Sequence, residues 1–107
     1  MQIHFNGHHM DVTPALRTYT EEKLSKLLKH FDHITSIHVV YAIEKRVHLV
    51  EATIAINQAE IHARAESSDM YAAVDALEEK LKHQLSTYKG KHLERRRADN
   101  DPISEQD

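Results

Sequence analysis

The sequence has no cysteine, no tryptophan and only two glycines among its 107 residues. Without cysteine the chain has no disulfide, no thiolate metal site and no thiol nucleophile. Two glycines are too few for a phosphate-binding loop or a dinucleotide fingerprint. No apolar run approaches the roughly 20 residues that cross a bilayer, and no signal peptide is evident at the N-terminus. These absences predict a cytoplasmic, single-domain protein without membrane contact, small-molecule substrate or cofactor.

Net positive charge is also lacking, because the formal net charge is −3. Residues 1–97 nevertheless hold all 14 Lys and Arg and 13 of the 17 Asp and Glu, so they carry +1 while residues 98–107 carry −4. Within residues 80–97 seven basic residues accompany one acid, a local excess of +6. Local clustering determines the field that a partner meets. We therefore expect one domain over residues 1–97 with a basic surface, followed by an acidic, disordered tail over 98–107.

Alternating apolar residues predict four strands, near residues 2–6, 35–45, 47–57 and 60–67. The last three are joined by short connections, which predicts antiparallel hairpins. The first strand is separated from the second by a helix, which predicts a right-handed crossover and a parallel pair. Only one face of these strands is apolar, so the sheet is expected to be covered on one side.

Two amphipathic helices complete the pattern. The first is predicted over residues 14–30, with Thr13 as the N-cap and Pro14 at the first helical position. The second is predicted to start after Asp69 and either to stop at Gly90 or to continue towards residue 97. Both apolar stripes need the single apolar sheet face. The predicted fold is therefore two-layer α+β, in the order βαβββα, with a four-stranded sheet and both helices on one face.

Cations line the outward flanks of both predicted helices. The first helix carries Lys23 and Lys26 on one flank, with Lys29 behind them. The second carries Lys80, His83 and Lys91 on one flank, and Lys82 and Lys89 on the other. One interpretation is ordinary solubility, helped by pairs four residues apart and by the helix dipole. The other is a surface for RNA phosphates, since proteins grip A-form RNA by phosphates, 2′-hydroxyls and shape. The local excess is larger than dipole complementation requires. Acids at Glu51, Glu60 and Glu66 on the outward sheet face would repel phosphates, so the helices are the better candidate.

Ten histidines raise the question of a metal site. A metal needs three or four convergent ligands, and the sequence shows no compact motif of that kind. Asp69 is better explained as a helix cap, and Asp75 as a helix surface or a helix–helix contact. We therefore predict no metal, no catalytic residue and no enzymatic activity.

Three segments carry a family resemblance: DMYAAVDALEEKLKHQL, DVTPALRTYTEEKLSKLLKHFD and VEATIAINQAEIHARAESSDMYAAVD. Over residues 1–92 the chain strongly resembles the ribosome hibernation factors, also called the sigma-54 modulation or ribosome-associated inhibitor family. The resemblance implies a βαβββα fold similar to double-stranded-RNA-binding domains. It implies a chain that is a monomer when free and that binds the small ribosomal subunit in the mRNA and tRNA channel. There it would contact rRNA phosphates at the decoding region and block translation in stationary phase.

The family's RNA contacts come from basic residues on both helices; carried over by position, these are Lys23, Lys26, Lys80, His83, Lys89 and Lys91. Charge alone adds Lys29, Lys82 and Arg95. The motifs FDHI, EIHA and IEK favour the short promoting factor, which pairs ribosomes into inactive dimers. The basic RRR and brief acidic tail leave open the related inhibitor, which keeps ribosomes single. A non-ribosomal duplex-RNA-binding module and a protein-interaction module acting on transcription are further alternatives.

Overall fold

The computed structural model describes the backbone of residues 2–100 and the side chains of residues 2–90. Its elements are β1 (Gln2–His8), α1 (Pro14–Leu28), β2 (Ile34–Glu44), β3 (Val47–Ile56), β4 (Ala59–Ser67) and α2 (Met70–Asn100). The predicted order and the two-layer α+β fold are confirmed. The expected likeness to double-stranded-RNA-binding domains stays a prediction. None of the described helices has an apolar stretch of membrane-spanning length.

The four strands form one sheet in the order β1-β2-β3-β4. The strands β1 and β2 are parallel, and the two pairs that follow are antiparallel, as the crossover and the short connections predict. The register aligns apolar residues in rows across the inner face; one such row is Ile3, Ile37, Ile54 and Ile61. These rows pack against the buried stripes of both helices in one core. The strands β1 and β4 are left as the two edges.

Both predicted helix caps are present. The Thr13 hydroxyl accepts a hydrogen bond from the Leu16 amide at 3.2 Å, and the Asp69 carboxylate accepts one from the Ala72 amide at 3.0 Å. Each bond satisfies one of the backbone donors that a helix start leaves free.

Neither of the two glycines ends the element in which it lies. The strand β1 runs past Gly7 to His8, and a Cβ built on Gly7 would collide with the carbonyl oxygen of Met10. Gly7 therefore permits a close approach of the following loop, and it does not end the strand. The helix α2 continues through Gly90 to Asn100. A helical glycine costs only about 1 kcal/mol relative to alanine, which the flanking helix-forming residues overcome.

The two helices run in the same direction. Tyr19 near the start of α1 contacts Tyr71 near the start of α2, and Phe31, just beyond the end of α1, contacts Lys89 far along α2. This follows from the topology, because each helix follows a strand and returns antiparallel to it. Residues late in α1 therefore lie beside residues in the middle of α2.

Candidate nucleic-acid interface

The outward surface of the helix layer contains a groove between α1 and α2, which we call the interhelix groove. Its acidic half, nearer the helix starts, comprises Tyr19, Glu22, Lys23, Tyr71, Asp75 and Glu78. Its basic half, nearer the C-terminal end of α1, comprises Lys26, Lys82 and Lys89, and Lys29 lies next to it on the outer side of α1. Lys82 is assigned to this flank of α2 because it lies four residues after Glu78 and seven before Lys89, which both face α1. The charge of the groove thus changes from acidic to basic along its length.

Asp75 joins the two helices in the acidic half. Its carboxylate accepts a hydrogen bond from the Tyr19 hydroxyl at 2.6 Å and forms an ion pair with the Lys23 ammonium at 3.2 Å. Lys23 also lies 3.7 Å from the Glu78 carboxylate and 5.3 Å from the centre of the Tyr19 ring. Of the two explanations that the sequence leaves open for Asp75, the structure shows the helix–helix contact. Lys23 is therefore already neutralised within the molecule.

The pKa shifts of this cluster agree with its geometry. The hydrogen bond from Tyr19 lowers the pKa of the Asp75 carboxyl, and Lys23 lowers it further. The hydrogen bond to Asp75 raises the pKa of the Tyr19 phenol and that of the Lys23 ammonium. Each direction favours an ionised Asp75, a charged Lys23 and a protonated Tyr19.

A buried polar contact lies in the core below this cluster. Thr20 is fully buried; its hydroxyl donates to the Leu16 carbonyl at 2.9 Å and shares a hydrogen bond of 2.5 Å with the Tyr41 hydroxyl. Burial raises the pKa of the Tyr41 phenol, while the Thr20 bond opposes the rise. The helical and strand periodicities put Thr20 on the buried stripe of α1 and Tyr41 on the inner face of the sheet, but they do not reveal that the two hydroxyl groups pair.

The basic half has no comparable pairing. Lys26, Lys29 and Lys82 are exposed, and none of them has a carboxylate within ion-pair distance among the side chains of residues 2–90. Lys89 is exposed too, with its ammonium 5.5 Å from the centre of the Phe31 ring. Lys26 and Lys29 also lie at the C-terminal end of α1, where cations complement the helix dipole. These four ammonium groups remain available to an external anion.

Lys80 and His83 lie on the other flank of α2, against the edge strand β4. The Lys80 ammonium donates to the Arg64 carbonyl at 2.7 Å, and the Gln84 side chain donates to the His62 carbonyl at 2.6 Å. His83 is exposed beside them. The predicted site residues therefore divide between two surfaces. The side chains of Lys91 and Arg95 lie outside the described residues.

The open face of the sheet carries mixed charge. Glu51 pairs with His62 at 3.6 Å, Glu66 pairs with Arg64 at 3.5 Å, and Glu60 is exposed. The rings of His4 and His38 stack at 4.7 Å between centres on adjacent strands. Within the described part of the chain, no three His, Cys, Asp or Glu side chains converge as metal ligands would. An anionic polymer meets more favourable charge in the basic half of the interhelix groove.

Residues 3–93 match the family model described as "Sigma 54 modulation protein / S30EA ribosomal protein". The chain belongs to this family. The ribosome hibernation promoting factor of Azotobacter vinelandii is 50% identical over 98 residues, which are 92% of each chain. The factor of the same name from Escherichia coli K12 is 44% identical over 91 residues, 85% of this chain and 96% of that protein. The resemblance to the short promoting factors of this family is confirmed.

Two solved structures share the fold. A ribosomal subunit interface protein from Coxiella burnetii superposes with a TM-score of 0.80 at 42% identity, covering 84% of this chain and 99% of that one. The N-terminal domain of Thermus thermophilus Protein Y gives a TM-score of 0.74 at 24% identity, covering 82% and 99%. At the lower identity the likeness shows the fold alone.

Proposed function

We propose that this protein is a ribosome hibernation factor that binds the small ribosomal subunit through its helix layer. The basic half of the interhelix groove would lie against rRNA phosphates in the mRNA and tRNA channel, and the bound protein would block translation. The names of the relatives support a role on the ribosome. The single observation that carries the RNA surface is the set of unpaired lysines on two adjacent helices.

The parallel helices explain why this surface suits a polyanion. Lys26 and Lys29 on α1 lie at the same end of the layer as Lys82 and Lys89 on α2. Lys82 and Lys89 are two turns apart, about 10 Å along the axis, so one RNA surface can engage several of these cations together. Each neutralised phosphate releases counterions, which favours binding at low salt.

The other predicted contact residues are expected to contribute different amounts to the binding free energy. Lys91 and Arg95 remain predicted RNA contacts on the same helix. His83 is exposed and can donate a hydrogen bond to a phosphate through a ring N–H. Lys80 and Lys23 would have to exchange an internal partner for a phosphate, so we assign them a smaller share of the binding free energy.

We further propose that the protein promotes inactive ribosome dimers in stationary phase. The names of its relatives and the motifs FDHI, EIHA and IEK support this subtype. The alternative is the related inhibitor that stabilises single ribosomes and prevents pairing.

Sedimentation of ribosomes with and without the purified protein tests these proposals, with the protein assayed in every fraction. The expected result is protein in the small-subunit and ribosome fractions together with a new dimer peak. Protein in those fractions without a dimer peak would support the inhibitor instead. Protein that stays at the top of the gradient at low salt would contradict a ribosomal function. Equal affinity for a short RNA duplex and for small subunits would favour the duplex-RNA-binding alternative.

A further inference from the structure

The acidic half of the interhelix groove exposes an aromatic pair. Tyr71 keeps 39% of its surface exposed and is, with Val47, one of two exposed large apolar side chains among residues 2–90. The ring of Tyr19 meets that of Tyr71 edge to face, with centres 5.0 Å apart. The two rings line a shallow cleft together with Pro14, Ala15, Thr18 and Glu22. The core does not require an exposed Tyr71, so its ring is available to a partner.

The charge around this cleft selects against phosphate. Glu22 lines the cleft, and Asp75 and Glu78 lie along the same groove with Lys23 as their shared cation. Three carboxylates and one ammonium leave a local charge of −2. A nucleobase that stacked on Tyr71 would bring its phosphates into this negative field, whereas a cationic side chain would be attracted.

A contact within the protein already shows how a ring and a carboxylate of this groove bind a cation. Lys23 lies over the Tyr19 ring at 5.3 Å while its ammonium pairs with the Asp75 carboxylate. An aromatic ring beside a carboxylate binds a cation by ring electrostatics and charge together. The planar guanidinium of arginine suits this combination better than ammonium does, because it stacks on a ring while donating to a carboxylate.

We propose that the cleft lined by Tyr19, Tyr71 and Glu22 binds an arginine side chain from a basic protein segment. The helix layer then contacts protein with its acidic half and RNA with its basic half. This inference rests on the proposed function, which places the chain in an assembly of RNA and protein. It assigns Tyr71 and Glu22 as contact residues for a protein partner.

Binding of a fluorescent peptide of alternating arginine and glycine tests the cleft, with the same peptide carrying citrulline in place of arginine as the uncharged control. The full-length protein should bind the arginine peptide more tightly than the citrulline peptide. Tyr71→Ala should weaken binding about three- to fivefold, the size of an exposed cation–aromatic contact, whereas Tyr71→Phe should retain it. Glu22→Gln should weaken binding, and Glu60→Gln on the open sheet face, with the same change in charge, should not.

A second comparison separates a protein partner from RNA. Tyr71→Ala should bind intact small subunits about three- to fivefold more weakly but bind protein-free rRNA as wild type does. Unchanged peptide binding in Tyr71→Ala and in Glu22→Gln would overturn the proposal. Weaker binding of Tyr71→Ala to protein-free rRNA would also overturn it and would make the cleft a base-stacking site. A wild-type protein that binds the peptide but not ribosomes would contradict the proposed function and leave the cleft assignment standing.

Discussion

The two halves of the interhelix groove use the same pair of helices in opposite ways. In the acidic half, Tyr19, Lys23 and Asp75 satisfy one another across the groove. In the basic half, Lys26 and Lys82 have no carboxylate partner among the described side chains. The number of charges on a helix therefore does not tell which of them a partner can reach. The paired charges hold the helices together, and the unpaired ones are left for an external ligand.

Stability alone does not account for the basic half. Parallel helices bring the cations of α1 close to those of α2, and such like charges repel over roughly the 10 Å Debye length at 0.1 M salt. A fold optimised only for stability would place an acid among them, as the acidic half does around Lys23. A polyanion that binds there neutralises these charges and removes their repulsion. The removal of this repulsion adds to the binding free energy.

The largest expected effect comes from removing the basic half. The double variant Lys82→Glu with Lys89→Glu should bind small subunits about a hundredfold more weakly or worse, because each reversal places like charges against phosphate. The dependence of log binding constant on log salt should become shallower by about two. Filter binding or pelleting of small subunits over a salt series measures both quantities.

A matched control tests whether position matters more than net charge. Lys45→Glu with Arg46→Glu makes the same change in charge at the β2–β3 turn, and it should bind nearly as wild type does. Equal losses in both double variants would contradict an RNA surface on the helices.

The paired Lys23 provides a finer contrast, since Lys23→Gln should reduce the salt dependence of binding less than Lys26→Gln.

The next effect concerns the buried hydrogen bond between Thr20 and Tyr41 in the core. Thr20→Val leaves the Tyr41 hydroxyl in the core without its partner, and should lower the free energy of unfolding by about 1–3 kcal/mol. Tyr41→Phe should cost less, because the Thr20 hydroxyl keeps its bond to the Leu16 carbonyl. Urea unfolding of both single variants and the double variant should show non-additive losses. Additive losses would mean that the two hydroxyl groups do not act as a pair.

The smallest expected effect is on acid stability. Because the folded pKa of Asp75 lies below its ordinary value of 3.8, its ionised form contributes stability above that value, and the contribution is lost as pH falls through the folded pKa. In Asp75→Asn this part of the acid dependence should be absent. The difference in unfolding free energy between wild type and variant should therefore narrow from pH 6 to pH 3. Urea midpoints at the two pH values measure the gap. A gap that stays constant would show that the carboxylate charge makes no contribution.

Much of the fold follows from local patterns, because alternation, capping residues and short connections each act over a few neighbouring positions. Thr13 and Asp69 cap their helices as predicted. The pairing of Tyr19 with Asp75 could not be predicted, since the two residues are 56 positions apart and their contact depends on how far α1 and α2 slide along each other. The contact of Lys80 with β4 has the same origin. Helical spacing gives the flank of a side chain but not the distance to the neighbouring strand.

The bonds of Lys80 and Gln84 to β4 have a consequence for solubility. Exposed sheet edges are where β-rich proteins polymerise, because free carbonyl and amide groups can recruit another strand. Here the carbonyls of Arg64 and His62 already have donors from α2, so an incoming strand would have to displace them. A variant that loosens α2 from this edge should form aggregates at high protein concentration even if its lysines can still reach RNA.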